Sequence, residues 1–134
     1  MLNGGASAYA RTAKITQSPR ELEASLLLKA AYRLQVISDN WASGEADLAA
    51  ALTFNRRIWT ILATSATADD NPLPDPVKVS IAQLAGYIFQ RTINVLVEPA
   101  PEKLGILVRI NREIAAGLRT AAANAAASTA AAAG

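Results

Sequence analysis

Two arginines stand against a tryptophan in "FNRRIWTIL", where Arg56 and Arg57 precede Ile58 and Trp59. A guanidinium pair beside an aromatic could grip a phosphate or stack on a base. Two other places have residue types suited to chemistry. Asp69 and Asp70 set adjacent carboxylates in "ADDNPLPDP", and Arg109, Arg112 and Arg119 recur along "LVRINREIAAGLR". Most other reactive side chains are absent. The 134 residues include no cysteine and no histidine, which removes thiolate nucleophiles, disulfides, the commonest general base and the commonest metal ligand. No phosphate loop or dinucleotide fingerprint occurs. No catalytic, cofactor-binding or metal-binding residue is therefore assigned.

Helical geometry decides what the arginine pair can do. At about 100° per residue, Leu48, Leu52, Trp59 and Leu62 fall in one sector, with Ala51, Ile58, Phe54 and Ile61 extending it. Arg56 sits at the edge of that arc, while Arg57 lies on the polar side with Thr53, Thr60 and Thr64. Neighbours in sequence, they diverge by about 100° and cannot close on one phosphate. Trp59 reads as a core anchor. Asn55 falls inside the apolar sector, and a buried amide needs partners. Asn55 is expected to bond a carbonyl or polar side chain on a neighbouring helix and so fix register; Asn111 holds a comparable place in the fourth helix, and the two could face each other. Asp69-Asp70, with no third ligand nearby in sequence, reads as a solvated loop pair. The arginines from Arg109 to Arg119 are interleaved with glutamate, which weakens any phosphate-binding stripe.

The elements that position these residues are helices. Alanine and leucine dominate the hydrophobic share and favour helix. The first helix opens at "SPRELEASLLLKAAYRLQVI", with Ser18 as cap, Pro19 first and Glu21 able to complete a capping box. Its core side is Leu26, Leu27, Ala30, Leu34 and Ile37. The second runs from about Glu45 to Thr67 after Gly44, with Ser43 as cap. The prolines of "ADDNPLPDP" end it, and a third starts with Asp75 as cap and Pro76 first, continuing to about Glu98. Val77, Ile81, Leu84, Ala85, Ile88, Phe89, Val95 and Leu96 make its apolar arc. A fourth, from about Pro101 to Arg119, buries Leu104, Ile106, Leu107, Ile110, Ile114 and Leu118.

The pattern predicts an all-α protein: a small antiparallel bundle of about four helices over residues 18–119. Residues 1–17 form an N-terminal segment expected to be partly disordered and flexible. Residues 120–134 are an alanine-rich low-complexity tail without a large apolar stripe, expected to be a frayed extension of the last helix. A net charge of +2 is too small to imply a nucleic-acid or membrane partner. No export signal or apolar run of roughly 20 residues is present, so the expected compartment is the cytoplasm.

One feature of the first helix is left over. Leu28, Tyr32 and Val36 make a second stripe at helical spacing, beside the side set by Glu21 and Ser25. The N-terminal segment, through Tyr9 and Ile15, could fold over it. Left open, it would receive a partner's amphipathic helix, with Arg109 and Arg112 as rim charges. A symmetric homo-oligomer hiding the stripe, or RNA held by Arg57, Arg109, Arg112 and Arg119, are the alternatives.

Three ordered stretches carry a resemblance. "AYARTAKITQSPRELEASLLLKAAYRL", "LAAALTFNRRIWTILATSATADDNPLP" and "LVRINREIAAGLR" together resemble the flagellar biosynthesis regulator family FlaF of alphaproteobacteria, from Tyr9 to Arg119. The segment "PVKVSIAQLAGYIFQRT" between them fits only as a generic amphipathic helix. The resemblance implies a non-catalytic, chaperone-like protein that promotes flagellin production and secretion. It also implies flagellin as a partner, together with FlbT, a regulator of flagellin translation. It implies no catalytic residue and no cofactor.

Overall fold

The computed structural model describes residues 18–133. The expectations for residues 1–17, including Tyr9, Ile15 and coverage of the Leu28 stripe, lie outside the described residues. Four long helices make up the fold: α1 (Pro19–Asp39), α2 (Leu48–Ala66), α3 (Asp75–Val97) and α4 (Gly105–Ala133). Among the described residues there is no strand.

Local sequence sets each boundary. The Ser18 Oγ accepts the Glu21 amide hydrogen at 3.1 Å, and Pro19 takes the first helical position, where a missing N–H costs nothing. At the far end Asn40 donates both its backbone N–H and its side-chain Nδ2–H to the Val36 carbonyl. The chain then reverses through one helical turn, Trp41–Gly44, and a 3-10 turn, Glu45–Asp47. Gly44 is required there by space, since a Cβ would lie 3.0 Å from the Ile37 Cα.

Two expected caps are placed differently. Ser43 does not cap α2: its hydroxyl donates to the Asn40 carbonyl within the turn, and α2 starts five residues later. Asp75 is the first residue of α3, because the preceding Pro74 carbonyl already accepts from Val77 and Lys78. The connection before α3 is held by Asn71. Its Oδ1 accepts from the Leu73 amide and from Arg20 on α1, while its Nδ2 donates to the Ser65 carbonyl. Leu73 is thereby pressed into the core.

The dominant pairing is antiparallel, α1 on α4, with α2 against α1 and α3 against α2. Leu27, Leu34, Leu52, Trp59, Leu62, Ile88, Leu104 and Leu118 fill the centre. At one end the Ser38 hydroxyl donates to the Pro101 carbonyl, and Arg91 donates to that of Lys103, fastening the 3-10 turn Pro101–Lys103 to α1 and α3. The fourth helix does not stop at Arg119. It continues through the alanine-rich segment to Ala133, and Ala122 is buried.

Several expected core residues lie outside. Ile61 is 62% exposed and Leu96 49%, and Val77 is also on the surface. The apolar arcs of α2 and α3 are wider than the faces covered, because α3 is an edge helix packed extensively on α2 alone. Phe54 is half-buried, with Arg33 and Lys29 of α1 lying 5.0 and 5.8 Å from its ring centroid.

Two glycine replacements should move stability in opposite directions. Gly44→Ala drives a methyl against the α1 backbone and should lower stability by about 1–3 kcal/mol. Gly117, in α4 with open space around its would-be Cβ, should gain about 0.5–1 kcal/mol as Ala. Chemical denaturation of both variants checks the pair.

Candidate partner surfaces

The groups singled out for chemistry do not converge. Arg56 and Arg57 are both exposed on one turn of α2, where consecutive side chains diverge by about 100°. Asp69 and Asp70 are exposed in the loop, and among the described residues no group of three acidic, histidine or cysteine side chains could hold a metal. Arg109, Arg112 and Arg119 lie exposed along α4 with Glu102 and Glu113 exposed near them.

The polar groups that do converge are buried and bonded to one another. The Trp59 Nε1–H donates to the Asn111 Oδ1 at 2.8 Å. Asn111 in turn donates through Nδ2 to the Asn55 Oδ1 at 2.6 Å and to the Leu27 carbonyl at 3.2 Å. All three side chains are wholly inaccessible to solvent. The two asparagines face each other, as their positions on the helical wheel suggested, and one amide ties α1, α2 and α4 together. The Asn55 Nδ2 has no partner among the described residues.

One acid is perturbed. Burial pushes the Glu23 carboxyl above the ordinary carboxylate range, against the opposing pull of Arg20, whose Nε lies 2.7 Å away. The net upward direction means that desolvation outweighs the ion pair.

The expected partner strip is narrower than the wheel suggested. Tyr32 is 68% exposed and Val36 also lies open, but Leu28 is half-buried against the core. Beside the strip a shallow depression of about 250 Å³ is lined by Tyr32, Arg33, Val36, Ile37 and Asp47. Arg109 and Arg112 are at the level of Leu28 along the bundle, since α4 runs antiparallel to α1 with Asn111 beside Leu27.

A second surface was not legible beforehand. An apolar groove of about 690 Å³ runs between Pro72–Val77 and the far half of α4, where Ile114, Leu118, Ala121 and Ala125 line it. The alanine-rich segment thus serves as a wall. Its small side chains carry no periodic signal of their own, so only the placement of α3 beside α4 shows the groove.

Comparison with known proteins adds an independent finding. A family model described as "Flagellar protein FlaF" matches residues 5–118. No curated protein and no solved structure matches the chain.

The buried amides and the buried acid each yield an expected outcome. Asn111→Leu strands the Trp59 N–H and should cost about 1–3 kcal/mol per unpaired group, whereas Asn55→Leu also removes an unpartnered donor and should cost less. Denaturant midpoints rank the two. For Glu23, the folded form holds its proton more tightly than the unfolded chain. Its contribution is therefore present below the ordinary value of 4.5 and is lost as pH rises through the elevated folded value. Relative to Glu23→Gln, the native chain should lose stability across that window, measurable by thermal melts over a pH series.

Proposed function

The chain belongs to the flagellar protein FlaF family, and on that premise we propose that it is a non-catalytic regulator of flagellar biosynthesis. It promotes flagellin synthesis and secretion by binding flagellin in the cytoplasm, acting with a translational regulator of the FlbT kind. The family resemblance supplies the flagellar role. The observation supporting a binding mechanism is the strip on α1, where Tyr32 and Val36 stand open on a helix otherwise packed against α2 and α4.

The strip suits an amphipathic helix better than it suits a nucleic acid. Its exposed elements are an aromatic ring and a branched aliphatic chain, and a helix laid on α1 would bring its own apolar stripe to them. Arg109 and Arg112, exposed on α4 at the level of Leu28, would meet acidic residues beyond that end of the strip. Flagellin subunits have helix-forming terminal segments that must stay unassembled before export. Covering one of them holds the subunit monomeric, and occupancy of the strip reports how much flagellin awaits secretion. The nearest residues with chemical capacity, Lys29 and Arg33, are stacked on Phe54 and shape the edge of the strip.

Replacing Tyr32 and Val36 together by Ser should weaken flagellin co-purification by roughly tenfold or more, as loss of a central anchor does, with the helical circular dichroism unchanged. Binding that survives the double replacement assigns flagellin to another face. Binding that collapses with modest added salt points instead to RNA held by Arg57, Arg109, Arg112 and Arg119.

A further inference from the structure

We infer that α3 carries an interface between two copies of this chain, paired antiparallel. The observation behind it is a heptad seam along one flank of α3. Val79, Ala82, Gly86, Phe89, Ile93 and Leu96 recur at alternating steps of three and four, the spacing of a helix that packs along another helix. Val79 is 54% exposed and Ile93 63%, Leu96 is likewise open, and Ala82 and Gly86 lie on the surface. Phe89 is half-buried, packed against the edge of the core. The inward face of α3, through Ile81, Ala85, Ile88, Thr92 and Val95, is already used against the bundle.

The order of sizes along the seam identifies the occupant. Its first half is small and its second half is large. Align a second copy antiparallel about a point between Tyr87 and Ile88, and every layer becomes complementary. Val79 meets Leu96 of the other copy, Ala82 meets Ile93, and Gly86 meets Phe89. Each layer joins a smaller residue to a larger one, which is how facing positions fill a seam without voids. A parallel pair would instead stack Gly86 on Gly86 and Phe89 on Phe89, leaving a gap beside a clash. Gly86 has nothing within 4 Å of its would-be Cβ, so the hollow into which Phe89 would fit is open.

Charge points the same way. Between Lys78 and Glu98 the one charged residue of α3 is Arg91, and its guanidinium is turned inward to the Lys103 carbonyl. The seam itself is neutral, flanked by Gln83 and Gln90. Two copies therefore meet without like-charge repulsion. The surface is separate from the α1 strip, so this inference stands whether or not flagellin binds there.

The full chain should sediment as a dimer from low to high micromolar concentration, and Ile93→Glu should render it monomeric with its helical spectrum intact. Because the chain has no cysteine, engineered thiols report the alignment directly. An equimolar mixture of Ala82→Cys and Ile93→Cys proteins should give the mixed disulfide on mild oxidation. Neither variant alone should cross-link to itself, since identical positions would lie about 16 Å apart along the axis. A chain that is monomeric throughout overturns the proposal. So does a dimer indifferent to Ile93→Glu, one that dissociates with Tyr32→Ser instead, or one that forms self-disulfides at Ala82→Cys.

Discussion

Asn111 spends its side chain on other helices: it receives the indole hydrogen of Trp59 and gives its own hydrogens to Asn55 and to the Leu27 carbonyl. A primary amide closed off from water is tolerated only while such partners are in place. Sliding α4 along α1 by one turn would carry the amide about 5.4 Å from all of them. Apolar packing alone would tolerate many such shifts, because leucines on one helix meet leucines on the next at several registers. The bonded amide does not. The axial register of α1, α2 and α4 against one another is set by these bonds.

How far the sequence could be followed depended on whether a residue's environment is local. Ser18 and Pro19 announce the start of α1 through bonds made within one turn. Asn71 and the prolines around it announce the break before α3 for the same reason. The facing of Asn55 and Asn111 was also legible, since two amides inside apolar sectors have few places to go. Ile61, Val77 and Leu96 misled because a helical wheel shows which side is apolar but not how much of that side a neighbour covers. Leu28 failed in the opposite sense, being half-covered at the α1 flank. The seat of Lys29 and Arg33 on Phe54 and the groove along α4 depend on helix placement across the bundle, which no window of sequence contains.

The apolar surface left outside the core is unevenly distributed. Here the open apolar residues concentrate on α1 and α3, two helices that share no extensive contact. Each can be covered without disturbing the other. On the two readings proposed above, one helix would serve association and the other recognition.

The heaviest contact in the molecule joins its first long helix to its last, with Leu27 and Asn111 meeting across the whole intervening chain. On the ribosome, then, α1 emerges long before the surface it needs, and Ala24, Leu27 and Leu34 wait unburied until α4 has left the exit tunnel. The α1 core face cannot close until α4 is available to it. A chain interrupted before α4 therefore lacks the amide that Trp59, Asn55 and the Leu27 carbonyl share, and α1 and α2 are left without their common seat.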